Sequence, residues 1–421
     1  MRATRPAEVL LAAAARAAES SPYYRRALST PPADWASVPC TLPRDLMRDG
    51  PRFAATPAVT VYASSGTSGR AKPAFFTARD RAGTVRRTVQ SLIGSGVTGS
   101  DTLVVAHGFG IWLIGSDFSS AGEELGLRVL PIGKGPSVVQ SVQLMREYGA
   151  TVIATSPSYA RRLAVNSGSG PGDLGAELGV RMLLLSGEAI SKMSRRDLCR
   201  AWGVDEVRTY YGTAEFGHLG CDVRGDTCVR LSDEFGYEVL VDGEPADLRP
   251  GVRGELVVTT LFQEGMPLVR YRTGDVVEVG AVAELAGLVS LDARVLGRLE
   301  SSVVLESGEK LSLWQLEEVL LGQAGIVDFR AELSEVEADR QWFSIADQLT
   351  IRCATAGPRP PDPEVDDVLQ ALRELSLDIS AAGESLRFAV EWVTSEELTA
   401  RDGEGKPRRL VDRRSASVLA G

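Results

Sequence analysis

The sequence predicts an α/β protein: a large N-terminal layered α/β domain with a β-rich subdomain, followed by a small C-terminal α+β domain. Three observations predict it. Short apolar strands alternate with helical stretches through the first half of the chain. From Cys228 the strands follow one another across Gly, Pro and Asp turns, without helices between them. From about Arg298 the pattern turns mixed again. Alternation at this spacing is what a largely parallel sheet with covering helices produces. A length of 421 residues suits two or three domains.

The elements follow in order. The amphipathic pattern from Val9 to Leu28 reads as a surface helix. Glu8 before the apolar run Val9–Ala15, and Arg16 after it, set the run apart from a secretory signal. No stretch approaches the ~20 apolar residues of a transmembrane helix. A Pro-rich passage, Pro31–Pro51, comes next. Strands are then expected at Ala58–Ala63, Thr102–Ala106, Arg128–Ile132, Thr151–Ala154, Arg181–Ser186 and Glu206–Tyr210. Helices are expected at Asp80–Ile93, Val138–Tyr148, Ser158–Val165 and Lys192–Trp202. Cys228–Leu231, Tyr237–Val241, Gly254–Thr260 and Val276–Val279 read as an antiparallel sheet or a distorted barrel. The last region carries helices at Trp314–Gly322 and Val365–Leu375, with strands near Asp328–Leu333, Leu349–Cys353 and Phe388–Val393.

Bulk chemistry narrows the function. A formal net charge of −10 argues against nucleic-acid and anionic-membrane partners, which demand a basic face. Five cysteines, odd in number and widely spread, are not a disulfide framework and fit a reducing compartment, so a cytoplasmic location is expected. Arginine supplies nearly all the positive charge. Lysine occurs only at Lys72, Lys134, Lys192, Lys310 and Lys406.

Five motifs carry chemistry. In VYASSGTSGRAKP an apolar strand runs into Ser64-Ser65-Gly66-Thr67-Ser68-Gly69 and then Arg70 and Lys72. Small residues let backbone N–H groups approach phosphate oxygens, and hydroxyls add donors. Read alone, the segment equally fits a Ser/Gly linker. Tyr210-Tyr211-Gly212-Thr213-Ala214-Glu215 ends a strand, where ligands bind in parallel sheets. A tyrosine there can stack on a base and a carboxylate can hold Mg²⁺; a plain strand exit with a solvated glutamate is the other reading. In Arg270-Tyr271-Arg272-Thr273-Gly274-Asp275 the aspartate can accept both ribose hydroxyls, or simply close a β-turn. Gly297-Arg298-Leu299-Glu300 lies at the proposed domain boundary. Gly403-Glu404-Gly405-Lys406-Pro407 places a lysine on a glycine-flanked loop near the C-terminus.

In this order the motifs resemble the adenylate-forming superfamily of acyl-CoA synthetases, peptide-synthetase adenylation domains and luciferases, and within it the phenylacetate–CoA ligase branch. Ser156-Pro157-Ser158-Tyr159-Ala160 and Met266-Pro267-Leu268-Val269-Arg270-Tyr271-Arg272 resemble that branch in particular. The resemblance implies ATP-dependent activation of a carboxylic acid as acyl-AMP, then transfer to CoA. It implies an ATP- and acid-binding domain over residues 1–297 and a mobile lid over 298–421. The loop over the ATP phosphates corresponds to Ser64–Gly69 with Lys72. The adenine-proximal strand end corresponds to Gly187 and Glu188 after Ser186, and the nucleotide-contacting turn to Tyr211, Gly212 and Thr213. Glu215 corresponds to the Mg²⁺-associated glutamate, Asp275 to the ribose-binding aspartate, Arg298 to a nucleotide-contacting arginine, Glu300 to the hinge acid and Lys406 to the adenylation lysine. His107, Phe109, Trp112 and Tyr159 correspond to an aryl-acid pocket.

Some positions depart from the family pattern. Ala214 stands where Thr or Ser is usual, and the hinge acid is Glu300 followed by Ser301. His218, Cys221 and Cys228 lie where some relatives hold zinc. A structural zinc needs four ligands and no fourth follows, so Zn²⁺ is not expected. Expected ligands are therefore ATP, Mg²⁺, a small aryl acid and CoA. A carrier-protein thiol, an amine or a hydroxyl is the alternative acceptor, a non-catalytic nucleotide-binding homologue is the alternative class, and a homodimer is left open.

Overall fold

The computed structural model describes residues 2–55, 60–64, 72–170, 172–222, 224–285, 288–299, 302–305, 310–322, 326–337, 345–355, 370–371, 386–394, 397–398 and 409–414. The chain divides into two compact units. One comprises Met1–Ile190 and Leu198–Leu296, the other Ser191–Asp197 and Gly297–Gly421.

The chain opens with helices α1 (Ala7–Ser20), α2 (Pro22–Ala27) and α3 (Pro43–Phe53), then strands β1 (Thr60–Ser64) and β2 (Lys72–Phe76). The alternating part follows: α4 (Ala78–Gly94), β3 (Thr102–Ala106), α5 (Leu113–Glu124), β4 (Arg128–Leu130), α6 (Val138–Glu147), β5 (Val152–Thr155), α7 (Pro157–Asn166), α8 (Leu174–Leu178), β6 (Met182–Ser186), α9 (Lys192–Trp202) and β7 (Glu206–Thr213). Strands then dominate: β8 (Gly217–Cys221), β9 (Cys228–Leu231), β10 (Phe235–Val241), β11 (Glu244–Pro245), β12 (Arg253–Thr260), β13 (Tyr271–Leu285) and β14 (Leu288–Arg298). Beyond them lie β15 (Ser302–Val304), β16 (Lys310–Ser312), α10 (Leu313–Leu320), β17 (Ile326–Glu337), β18 (Ile345–Thr355), β19 (Leu386–Val393) and β20 (Leu410–Asp412).

The expected parallel sheet is present: β4, β3, β5, β6 and β7 are adjacent and parallel. β3, β5 and β6 are buried along their whole length, as apolar runs covered on both faces must be. Alternate residues face two cores. Val104, Ile153, Leu183 and Val207 pack with α6, α7 and α9 residues such as Met145, Leu163 and Trp202. Leu103, Val152, Leu184 and Tyr210 pack with Leu92 and Phe118 of α4 and α5. Local signals set the helix starts. Thr77 and Asp80 exchange side-chain-to-backbone hydrogen bonds at α4, and Ser137 and Gln140 do so at α6. Pro157 opens α7 at the position that needs no N–H donor.

Two expectations are corrected, and one of two alternatives is settled. The helix expected to run from Val9 to Leu28 breaks at Ser21, whose backbone is held extended before Pro22. The β-rich region is antiparallel, the first of the two arrangements expected, and it is not a barrel: β8 turns back against β7 and continues the same sheet, giving twelve strands in the order β11-β10-β12-β13-β14-β9-β8-β7-β6-β5-β3-β4. The strand near Ala58–Ala63 lies outside that sheet and pairs with β2 in a two-stranded ribbon; residues 58 and 59 are outside the described residues.

In the second unit β19, β18, β17 and β20 form a four-stranded sheet around Leu316, Phe329, Leu333, Ile351 and Cys353. This is the small α+β region expected there. All of the helix expected at Val365–Leu375 except 370–371 is outside the described residues. No helix among the described residues is long and apolar enough to cross a membrane.

Candidate active site

Because β3, β5, β6 and β7 run parallel, their C-terminal ends open on one edge, where such sheets bind ligands. That edge collects most of the residues singled out from sequence. His107 follows β3, Ser156–Tyr159 follow β5, Gly187 and Glu188 follow β6, and Tyr211–Thr213 end β7 with Glu215 just beyond.

A buried ionic cluster forms at the end of β7. The Lys72 Nζ lies 2.6 Å from the Glu215 Oε1, and both side chains are less than a tenth exposed. The Tyr271 hydroxyl donates to the same Oε1 at 2.8 Å and accepts from Lys72 at 3.2 Å. Burial alone would push the Glu215 carboxyl up. The adjacent ammonium and the tyrosine hydrogen bond outweigh it and hold the group down at about 2. Next to this cluster the Tyr211 hydroxyl donates to Asp275 Oδ2 at 2.7 Å, joining the second and third motifs. Gln263 Nε2–H donates to the main-chain carbonyl of Glu215 at 3.0 Å.

Local structure delivers each of these groups. The β1–β2 pairing sets Lys72 opposite Ser64. The turn from β7 to β8 needs two glycines: a Cβ on Gly212 would lie 2.5 Å from the Gly217 carbonyl oxygen, and Gly217 itself has φ +69°. Tyr271 is pinned at the start of β13, between Val258 on β12 and a parallel bridge to Thr41. Residue 270 has φ +44°, and its guanidinium forks onto Glu238 at 3.0 and 3.1 Å.

The four residues expected to form the acyl pocket differ in exposure. His107 is buried. Its ring lies flat against Phe118 with centroids 5.7 Å apart, and its Nε2 shares a hydrogen bond of 2.9 Å with the Ser186 hydroxyl. Tyr159 is buried and its hydroxyl meets Ser141 at 3.1 Å. Phe109 is half-buried and Trp112 is 45% exposed. Gly133 closes on this segment, its Cβ direction 3.5 Å from the Phe109 ring. Glu188 accepts from the Ser158 backbone N–H at 3.1 Å and from its hydroxyl at 2.6 Å, tying the end of β6 to α7.

Ser64 ends β1, while Ser65, Gly66, Thr67, Ser68, Gly69, Glu300 and Lys406 fall outside the described residues. Arg298 ends β14, in the second unit. Among the described residues no three His, Cys, Asp or Glu side chains assemble as a metal site. His218 Nε2 instead bonds the Ser91 hydroxyl at 2.6 Å, and Cys221 donates to the Ser91 carbonyl. Burial, with the Arg87 charge nearby, pushes His218 down to about 3, so the ring is neutral. Sequence reasoning missed the parts of Tyr271, Gln263, Ser158 and Ser186. Tyr271, Ser158 and Ser186 lie inside quoted segments and Gln263 does not, and nothing in spacing shows where a side-chain tip ends.

Comparison with known proteins fits this geometry. The family model described as "AMP-binding enzyme" matches residues 5–261. The phenylacetate-coenzyme A ligase of Thermus thermophilus is 30% identical over 434 residues, covering 94% of this chain and 93% of that protein. That of Aromatoleum evansii is 28% identical over 426 residues, covering 94% and 91%. Among solved structures, a 2-hydroxyisobutyryl-CoA ligase in its postadenylation state shares the fold with a TM-score of 0.74 at 19% identity, over 96% of this chain and 88% of that one. An anthranilate CoA ligase in complex with anthranoyl-AMP does so with 0.59 at 16%, over 83% and 65%. The chain belongs to the AMP-binding enzyme family, within the adenylate-forming superfamily and close to its phenylacetate–coenzyme A ligase branch. Its class is that of the AMP-forming acid–thiol ligases, whose reaction is ATP-dependent adenylation of a carboxylic acid followed by thioester formation.

Proposed function

We propose that the protein activates an aromatic acid of the phenylacetate or benzoate kind and passes the acyl group to CoA. The observation that carries this reading is the pair of linked contacts, Lys72–Glu215–Tyr271 and Tyr211–Asp275, at the strand ends of a chain alignable over 94% of its length with phenylacetate-coenzyme A ligases.

In the first step a carboxylate oxygen of the acid attacks the α-phosphorus of ATP, the bond to pyrophosphate breaks, and acyl-AMP forms. In the second a thiolate sulfur attacks the acyl carbon, AMP leaves, and the thiol proton goes to solvent. The first step brings an anion to a polyanion, so it needs preorganised positive charge. Asp275 accepts from the ribose hydroxyls and Tyr211, fixed by its bond to Asp275, packs on the base beside Gly187, Glu188 and Gly212. By the family resemblance, Ser64–Gly69 are assigned to the ATP phosphates, Arg298 to the nucleotide, Glu300 to the hinge acid and Lys406 to adenylation. His107, Phe109, Trp112 and Tyr159 hold the ring of the acid. Glu215 suits a hard cation: it is an ionised oxygen donor of the kind Mg²⁺ takes together with substrate phosphates. When bound, Mg²⁺ supplies positive charge to the phosphate oxygens.

ATP–pyrophosphate exchange tests the reading, across phenylacetate, benzoate and their hydroxy and amino derivatives, with short aliphatic acids alongside. Exchange with aromatic acids is expected. Exchange with aliphatic acids alone removes the aryl assignment. With the active acid in hand, mass analysis after adding CoA is expected to show the acyl-CoA. An adenylate that persists in the presence of CoA moves the acceptor to a carrier-protein thiol, an amine or a hydroxyl.

A further inference from the structure

The turn that carries Glu215 is held from outside the sheet. Thr213 of β7 pairs with Gly217 of β8, so residues 214–216 bridge the two strands, with Glu215 and Phe216 buried. A buried main-chain carbonyl that has left the ladder needs a donor from elsewhere. Two long side chains supply donors here. Arg87 of α4 donates to the Phe216 carbonyl at 3.0 Å and to the His218 carbonyl at 2.7 Å. Gln263, between β12 and β13, donates to the Glu215 carbonyl at 3.0 Å.

The loop that bears Gln263 is itself fixed on two sides. The buried Asp80 carboxylate, in the first turn of α4, accepts from the backbone N–H groups of Glu264 at 2.8 Å and Gly265 at 2.7 Å. Gly265 also lies against β2: a Cβ there would come within 2.6 Å of the Phe75 carbonyl oxygen. β2 is the strand that delivers Lys72. One short loop therefore rests on the strand that carries the ammonium and holds the turn that carries the carboxylate, the two groups that meet at 2.6 Å.

We propose that Gln263 is a positioning residue for Glu215: it fixes the main chain of that residue so that the carboxylate meets the cation carried by the ATP phosphates, and Asp80 anchors the loop from which it does so. The proposal rests on the nucleotide-site reading above and adds a residue that lies outside every motif behind that reading. A glutamine that only closed a loop would serve the fold alone, and its loss would weaken every ligand equally. A glutamine that acts through Glu215 matters only while that carboxylate and a cation are both present.

Calorimetric titration of the full-length protein with ATP, once with Mg²⁺ and once with a chelator and no metal, tests this on wild type, Gln263→Met, Glu215→Gln and the double variant. Methionine keeps the length of glutamine and removes the donor. In Gln263→Met, affinity for Mg²⁺-ATP falls about three- to tenfold, the range for one neutral hydrogen bond, and affinity for metal-free ATP is unchanged. Adding Gln263→Met to Glu215→Gln changes Mg²⁺-ATP affinity by less than about twofold, since residues that act through one another are not additive. Gln263→Ser provides the same comparison should methionine prevent folding, and the metal-free titration decides should Glu215→Gln do so. Mg²⁺-ATP binding equal to wild type in Gln263→Met overturns the proposal alone. So does an equal loss with and without Mg²⁺, or the full loss repeated in the Glu215→Gln background. Wild-type protein that binds ATP in neither titration overturns it together with the proposed function.

Discussion

Lys72 and Glu215 sit 2.6 Å apart under protein cover, and a third group completes them. Two buried charges gain from each other only when further hydrogen bonds satisfy what is left over. Tyr271 does this, donating to the carboxylate and accepting from the ammonium. Tyr271→Phe removes that bond without changing the ring. ATP–pyrophosphate exchange is expected to fall about ten- to a hundredfold, in line with a lost hydrogen bond to a charged group. Exchange at the wild-type rate would make the phenol dispensable. The sequence shows which residue types can do this chemistry: Glu215 after a strand, Asp275 after a tight turn, Lys72 after a Ser/Gly run. It does not show who meets whom. Tyr271 reaches Glu215 across 56 residues, and Lys72, legible only as a basic group for phosphates, turns out to be paired with a carboxylate.

Arg270 ties several segments to the start of β13. Its guanidinium holds Glu238 on β10, donates to the Val38 carbonyl at 2.7 Å, and lies over the Trp35 ring. Arg270→Met leaves the Glu238 carboxylate buried and alone. A loss of about 3–5 kcal/mol is expected in urea unfolding. Arg270→Met combined with Glu238→Leu should recover much of it, since no orphaned charge remains. Elements with strong patterns were legible, and those built on close packing were not. Helix α5 is not legible because LIGSDFSSAGEE is rich in Gly and Ser and lacks the strong helix-forming pattern. The small residues are there for contact. A Cβ on Gly115 would lie 2.5 Å from the Gly108 carbonyl oxygen, and one on Gly122 would lie 2.7 Å from Val129. Packing thus overrides propensity, and a single sequence shows only the propensity.

The alternation of strand and helix made the parallel half of the sheet readable, because each strand there except β7 is followed by a helix. The continuity of all twelve strands was not readable. It depends on pairings such as Arg230 opposite Asp292, whose partners lie 62 residues apart. Acid should destabilise this molecule over two pH ranges. His218 is held at about 3 when folded against an ordinary 6.5, so between these values the unfolded chain binds the extra proton and stability falls as pH drops below about 6.5. Glu215, held at about 2 against 4.5, adds its own loss as pH falls below about 4.5. The thermal midpoint measured against pH should therefore decline from about pH 6.5 and steepen below about 4.5. A His218→Asn variant should flatten the upper part of that decline. A wild-type midpoint constant from pH 7 to 5 would contradict the assignment.

The twelve-stranded sheet has two outer margins, and both are cut short. At one lies β4, three residues long; at the other lies β11, two residues long and ending in Pro245, which has no N–H to offer. A broad sheet with long open margins would recruit another copy strand by strand. Here most of the backbone donors and acceptors are spent inside the sheet before its rim is reached. The margins thus act as a guard on solubility, apart from anything the site requires. Pro245→Val restores a donor to the rim. Light scattering at high protein concentration should show faster aggregation of that variant, with its thermal midpoint little changed.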